Sequence, residues 1–111
     1  MNYKNLNVWQ KADYLAFEIY KITKNFPKEE LYGLTSQLRR ASLSIPTNIV
    51  EGYSKKGDKE LARFINISLG SLAEVEYLLD FSGRLGYLNK EDYHRIRYFK
   101  RPRGKIALDF L

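Results

Sequence analysis

The sequence predicts an all-α protein, an antiparallel up-down-up-down four-helix bundle, and three observations carry that prediction. Apolar residues recur at spacings of three and four along most of the 111 residues, whereas the alternation of a half-buried strand never lasts more than a few positions. Clusters of Pro, Gly and Asn interrupt the pattern at intervals. The connections so marked are short, which makes consecutive helices antiparallel neighbours.

The first helix is expected from about residue 7 to 25, where Trp9, Ala12, Leu15 or Ala16, Ile19, Ile22 and Phe26 form one buried stripe and Pro27 ends it. The second is expected from about residue 29 to 53, with Leu31, Leu34, Leu38, Ala41, Ile45 and Ile49 facing inward. Pro46 falls inside that pattern, so a kink near Ser42 to Ile45 is expected rather than a stop. Gly52 and Gly57 mark the exit. The third begins after Asp58, read as its N-cap, and runs to about Arg84 on a near-heptad seam of Leu61, Phe64, Ser68, Leu72, Val75, Leu79 and Ser82. Gly86 closes it. The fourth starts at Asn89, with Asp92 three residues on as a capping pair, and reaches about Lys100 before Pro102 and Gly104 interrupt it. Its apolar content is Tyr93, Ile96 and Phe99, and a short apolar run follows at 106–111. The chain is expected to be a single domain over residues 1–111, a length able to bury one continuous core.

Composition narrows the function. Cysteine is absent, which excludes disulfides and thiolate metal sites. Neither a membrane-length apolar run nor a signal-peptide core is visible, so the expected location is cytoplasmic with no membrane partner. The net charge of +6 is unevenly placed. Residues 1–28 carry five Lys against two acids, residues 53–63 four cations against two acids, and residues 90–111 seven against three, while the stretches between are slightly acidic. A folded core with basic ends suits a polyanion; the alternative is charge that serves solubility alone.

Catalysis finds little support. His94 is the only histidine, and Glu91 to His94 is the only Glu-x-x-His pair, too few for a di-metal bundle. No Ser or Thr has a recognisable base, and no Gly-rich phosphate loop occurs. No catalytic residue, metal or cofactor is expected.

Binding features are richer. Gln37, Arg40, Ser44, Asn48 and Glu51 line one face of the second helix beside its apolar stripe, and Glu74 on the third is a natural partner for Arg40. Such a face is either a satisfied network that fixes helix register or a contact with a subunit or partner. Gly70 and Ser71 lie in mid-helix, where Gly costs about 1 kcal/mol relative to Ala. The usual reason for tolerating it is close approach of another backbone, within the bundle or from another subunit. Nine Tyr, mostly near helix ends or off the stripes, suit a wet interface. Phosphate contact is expected from Lys11, Arg39, Lys55, Lys56, Lys59 and Arg63 and from the tail residues Arg95, Arg97, Lys100, Arg101 and Arg103, on charge alone.

Three stretches are similar to a known family. Leu6-Asn-Val8-Trp9-Gln10-Lys11-Ala12, the long block from Gln37 to Gly52, and Leu69-Gly70-Ser71-Leu72-Ala-Glu74 resemble the signature of the four-helix bundle protein family. That family is also called the 23S rRNA intervening-sequence protein family and includes the accessory variability determinant of diversity-generating retroelements. The resemblance covers about residues 3 to 100. It implies an antiparallel bundle assembled into a homopentamer with a basic surface, which in the retroelement branch binds nucleic acid (RNA or DNA) and the reverse transcriptase. Gln37, Arg40, Asn48, Glu51, Gly70, Ser71 and Glu74 occupy signature positions and are read as architectural or subunit contacts. The chain departs from the family at its C-terminus, where Pro102 and Gly104 break what is usually a long fourth helix.

Overall fold

Four helices make up the described part of the chain, residues 2–97 of a computed structural model: α1 (Asn7–Thr23), α2 (Leu34–Ser54), α3 (Asp58–Arg84) and α4 (Lys90–Arg97). Short 3-10 turns at Tyr3–Asn5 and Lys28–Glu30 precede α1 and α2. The expected four-helix bundle is what the chain forms. Contacts between the helices give their directions. Gly52 meets Leu61 and Phe64, Ser68 bonds to Ile45, and Ser71 to Ser44, so α3 runs back along α2. Arg39 meets Thr23 while Leu43 faces Phe17, so α2 likewise runs back along α1.

The opening motif of the chain builds the entry to α1. Asn2 caps the first turn by accepting from the Lys4 amide at 2.8 Å, and the Gln10 side chain donates to the Lys4 carbonyl at 2.8 Å. Tyr3 lays its ring edge-on against Trp9 with centroids 5.0 Å apart, which roofs that end of the core. Inside lie Ala12, Leu15, Ile19 and Ile22 from α1, Leu38, Ala41, Ile45 and Ile49 from α2, and Leu72, Val75, Leu78 and Leu79 from α3. The stripes expected from spacing in α1 to α3 are therefore the ones buried or, at Trp9, Leu34 and Leu61, half-buried, with one exception.

That exception is Leu31. The second helix starts at Leu34 rather than near Glu29, and Leu31 is 49% exposed in the turn before it. The Glu30 carboxylate accepts from the Leu34 amide at 3.2 Å, and Gly33 adopts a non-helical conformation that sets the start. Helix α2 then continues through buried Pro46, whose missing N–H leaves one helical bond unmade. Four small residues let α3 come close to it. Ser68 is fully buried and donates to the Ile45 carbonyl at 2.9 Å, Ser44 and Ser71 share a hydroxyl contact at 2.6 Å, and Gly52 is buried against Leu61 and Phe64. A methyl on Gly52 would stand 2.7 Å from the Phe64 Cβ and 3.3 Å from the Leu61 Cα.

Helix α3 spans the expected residues, although Gly57, at φ 114°, occupies the capping position and Asp58 is already helical. Its other end is a Schellman turn: Gly86 at φ 81° donates to Gly83, and Tyr87 donates to the Ser82 carbonyl at 3.0 Å. Asn89 and Asp92 then form a reciprocal capping box, each backbone amide bonded to the other's side chain at 3.0 and 2.8 Å. Ile96 enters the core, and the Tyr93 ring covers Gly83, where any side chain would collide with its hydroxyl. The expectations for Phe99, Lys100, Arg101, Pro102, Arg103, Gly104 and the final apolar run lie outside the described residues.

Candidate binding surfaces and the family they belong to

Four of the signature residues, Gln37, Arg40, Asn48 and Glu74, converge on one concave face. Gln37, Arg40, Ser44, Thr47 and Asn48 of α2 and Glu74 of α3 line an open cleft of about 600 Å³, with Ser71 reaching Ser44 beside it. The short polar side chains are tied to their own helix: Ser44 lies 2.8 Å from the Ala41 carbonyl, Thr47 donates to Leu43 and Asn48 to Ser44, both at 2.8 Å. The long ones are not. Gln37, Arg40, Glu51 and Glu74 are exposed, and among the described residues Arg40 and Glu74 form no ion pair. The pairing expected from sequence fails because both side chains sit at the rim, where water solvates each charge and no desolvation demands a partner. The face is thus not a closed internal network.

Gly70 belongs to the same side of α3 and also departs from one expectation. Among the described residues nothing lies within 4 Å of where its Cβ would be, so no described backbone explains it. The close approach sought at Gly70 occurs at Gly52 instead. Around Gly70 runs a second stripe of α3, Ile67, Gly70, Glu74, Tyr77 and Phe81, spaced three, four, three and four, and its apolar members are exposed, Tyr77 to 59%. The Tyr77 and Phe81 rings pack side by side with centroids 6.2 Å apart, and Arg84 lies over Phe81 while pairing with Asp80 at 3.2 Å.

Basic residues divide by position and by commitment. The α2–α3 turn carries Lys55, Lys56, Lys59 and Arg63, all exposed, around a backbone that Gly57 lets turn sharply. Arg63 pairs with Glu60 at 3.2 Å and stacks over Phe64 at 4.5 Å, whereas among the described residues the three lysines form no ion pair. Antiparallel packing puts half-buried Lys11, on the first turns of α1, at the same end of the bundle. Arg39 is placed elsewhere and otherwise used. Its guanidinium donates to the Thr23 hydroxyl at 2.9 Å, approaches the Tyr20 carbonyl at 3.4 Å, and covers the Tyr20 ring at 4.8 Å, which ties α2 to α1. Arg95 pairs with Glu91 at 3.4 Å and lies 4.0 Å from Glu18. Arg97 is the last residue of α4.

Glu18 is a buried carboxylate that the sequence reading passed over. It is 96% shielded by the fold, with Lys21 at 3.5 Å from one oxygen and no hydrogen bond to the other, which faces Arg95. Its position, three after Leu15 and four before Ile22, places it at the edge of the inward stripe, and that register was the available signal. A second polar contact joins the far end of the bundle: Tyr87 donates to the Glu30 carboxylate at 3.0 Å. That hydrogen bond, then burial and the charges of Glu30 and Glu29, hold the phenol above its usual range. Among the described residues there is no group of three or more His, Cys, Asp or Glu able to hold a metal ion, and no helix long and apolar enough to cross a membrane.

The family model described as 23S rRNA-intervening sequence protein matches residues 4–99, which span the three signature stretches and all four helices. The chain belongs to that family. Among curated proteins none matches it. Membership gives the signature positions of the chain a setting: Trp9 and Gln10 build the entry to α1, Gly52 and Ser71 serve the α2–α3 contact, and Gln37, Arg40, Glu51, Gly70 and Glu74 remain on the outside.

Proposed function

We propose that this protein is a non-enzymatic, self-associating accessory factor that binds nucleic acid through the basic end of its bundle. The observation that carries the reading is the α2–α3 turn, where Lys55 and Lys56, with Lys59 on the first turn of α3, stand exposed and, among the described residues, in no ion pair. Cations so arranged contact phosphates rather than base edges, which gives affinity without sequence selection. Lys11 adds to that charge at the same end, and the cations of the sequence from Arg95 to Arg103 are counted with it on charge alone. In this reading the protein uses no cofactor or metal, assembles as a homopentamer as the family resemblance implies, and acts as an adaptor for a reverse transcriptase of a diversity-generating retroelement. The outer stripe of α3 and the signature cleft are the surfaces that self-association would cover, which accounts for a mid-helix glycine with nothing beside it.

The experiment is nucleic-acid binding across a salt series, with the wild type and a K55Q/K56Q/K59Q variant compared. The logarithm of affinity should fall with the logarithm of salt, and the variant should lose up to about three units of that slope. Binding that ignores salt, or a variant that binds as the wild type does, would overturn the reading. Light scattering on the same samples should give five times the 13.1 kDa of one chain. The second reading, a purely structural oligomer whose charge serves solubility, is favoured by the same exposed α3 stripe. An assembled protein that binds no nucleic acid at low salt would select it.

A further inference from the structure

A groove separate from the basic turn runs along the outside of α1. Its floor is buried Ala16, its walls are Phe17, Tyr20 and Leu43, and Asp13, Lys21 and Lys24 form the rim around about 430 Å³. Phe17 is 62% exposed, so the bundle itself makes little use of the ring. Tyr20 and Leu43 also line the signature cleft, which makes the two hollows one continuous surface. The rim charges cancel. Lys21 is paired with buried Glu18 at 3.5 Å and Asp13 offsets Lys24, so a polyanion gains no net attraction there. The occupant that fits brings an apolar ridge with an anion at one end and a cation at the other.

The outer stripe of α3 has that form. Along α1 the groove residues Asp13, Phe17, Tyr20 and Lys24 follow one another at spacings of four, three and four. Along α3 Arg63, Ile67, Gly70 and Glu74 do so at the same four, three and four. This is the seam spacing of a parallel two-helix coil, in which equivalent positions meet in layers. Laid together, the layers set Lys24 on Glu74, Tyr20 on Gly70, Phe17 on Ile67 and Asp13 on Arg63. Opposite charges meet at both ends, two apolar side chains meet between them, and the Tyr20 ring falls on the residue that has no side chain. Among the described residues neither Lys24 nor Glu74 is in an ion pair, and nothing lies within 4 Å of where a Gly70 Cβ would be. Arg63 already shares its charge with Glu60 at the exposed surface, so its layer is the weakest. Helices α1 and α3 both run opposite to α2. Copies related by rotation about an axis along the bundle therefore bring α1 of one beside α3 of the next in the parallel sense. Pairing the α3 stripe with itself would leave Phe17 and Lys24 uncovered.

We infer that the α1 groove of one copy seats the outer α3 stripe of a second copy, the two helices parallel and Lys24 of one chain against Glu74 of the other. This rests on the self-association reading above and adds to it which two surfaces meet: each copy gives its groove to one neighbour and its stripe to another.

Light scattering over a dilution series tests it. Lys24→Glu and Glu74→Lys should each raise the concentration at which half the chain is assembled by about ten-fold or more. The two changes in one chain should restore assembly, because every contact then holds the same pair reversed, and that rescue separates a lost contact from a lost fold. Phe17→Asp spoils only the groove and Ile67→Asp only the stripe, so each alone should be a monomer. Mixed, they should form a complex of twice the 13.1 kDa of one chain, joined by the one contact left intact. The inference fails if the double charge reversal assembles no better than the single ones, or if the mixture stays monomeric where the wild type assembles. It fails too if Phe17→Asp assembles as the wild type does; a loss of mass in Ile67→Asp alone would then keep the self-association reading and give the stripe another seat. Full assembly of Phe17→Asp with weakened nucleic-acid binding would assign the groove to nucleic acid instead. A wild type that is monomeric throughout the series overturns both readings.

Discussion

Helix α3 presents two stripes with nearly the same spacing and opposite fates. Phe64, Ser68, Leu72, Val75, Leu79 and Ser82 are buried against the rest of the bundle, while Ile67, Gly70, Glu74, Tyr77 and Phe81 face outward. A helix with one apolar stripe is finished when that stripe is covered. One with two has surface left to pair, and exposed rings at regular helical spacing are the form such surface takes. The two glycines at the α2–α3 seam sharpen the contrast. Gly52 lies on the inner side with two residues of α3 against it, and Gly70 lies on the outer side with none of the described residues beside it. The difference teaches that spacing decides which residues share a face, while the neighbouring helix decides what that face is for.

The contrast is broken most directly by truncating one residue from each stripe. Leu72→Ala leaves a cavity in the core and should lower the unfolding free energy by about 2–5 kcal/mol, read from urea denaturation. Ile67→Ala removes exposed surface and should change it by no more than about 0.5 kcal/mol when measured at dilutions where the chain is monomeric. Its effect should appear in light scattering instead, as a loss of assembled mass. Equal destabilisation by both variants would mean that the outer stripe is part of the chain's own packing and not a partner surface.

A smaller and opposite-signed pair of effects is expected at the glycines. Gly52→Ala pushes a methyl into the Phe64 Cβ and the Leu61 backbone, neither of which can swing aside, and should cost about 1–3 kcal/mol. Gly70→Ala meets open space in an exposed helix interior, so it should stabilise the isolated chain by up to about 1 kcal/mol. If another subunit's backbone packs on Gly70, the same change should reduce the assembled fraction. A Gly70→Ala protein that is both more stable and fully assembled would leave that glycine without a role in assembly.

Much of the bundle was readable in advance because its signals are local. The inward positions of α1 and α3, the bounds of α3 and the Asn89–Asp92 cap all follow from side-chain period and from residues that act on their own backbone. What escaped depends on a second element. The start of α2 is set by the Glu30 carboxylate and Gly33, and nothing in the run Glu29-Glu30-Leu31 announces that the pattern there is a turn. The roles of Gly52 and Gly70 depend on which side of the seam each one faces. At the candidate sites the residue types were legible and their commitments were not. Arg39 reads as a free cation until Thr23 and Tyr20 are placed beside it, and Arg40 with Glu74 read as a pair until both are placed at the rim of an open cleft.

The smallest expected effect concerns the end of the bundle remote from the basic turn, where Tyr87 packs on Phe26 and donates to Glu30. The carboxylate favours the protonated phenol, and so raises its pKa in the folded chain above the unfolded value near 10. A raised value means the contribution is complete below about pH 10 and is lost as pH climbs through the folded pKa, when phenolate and carboxylate repel. Wild-type stability should therefore fall more steeply above about pH 10 than that of Tyr87→Phe, which keeps the ring packing and lacks the ionisable group. The other tyrosines titrate in both proteins, so the difference between the two curves isolates this one. Urea midpoints taken from about pH 9 to 11 should converge as pH rises. Parallel curves would show that the hydroxyl contributes nothing to folding, and that the Glu30 side chain holds the start of α2 through Leu34 alone.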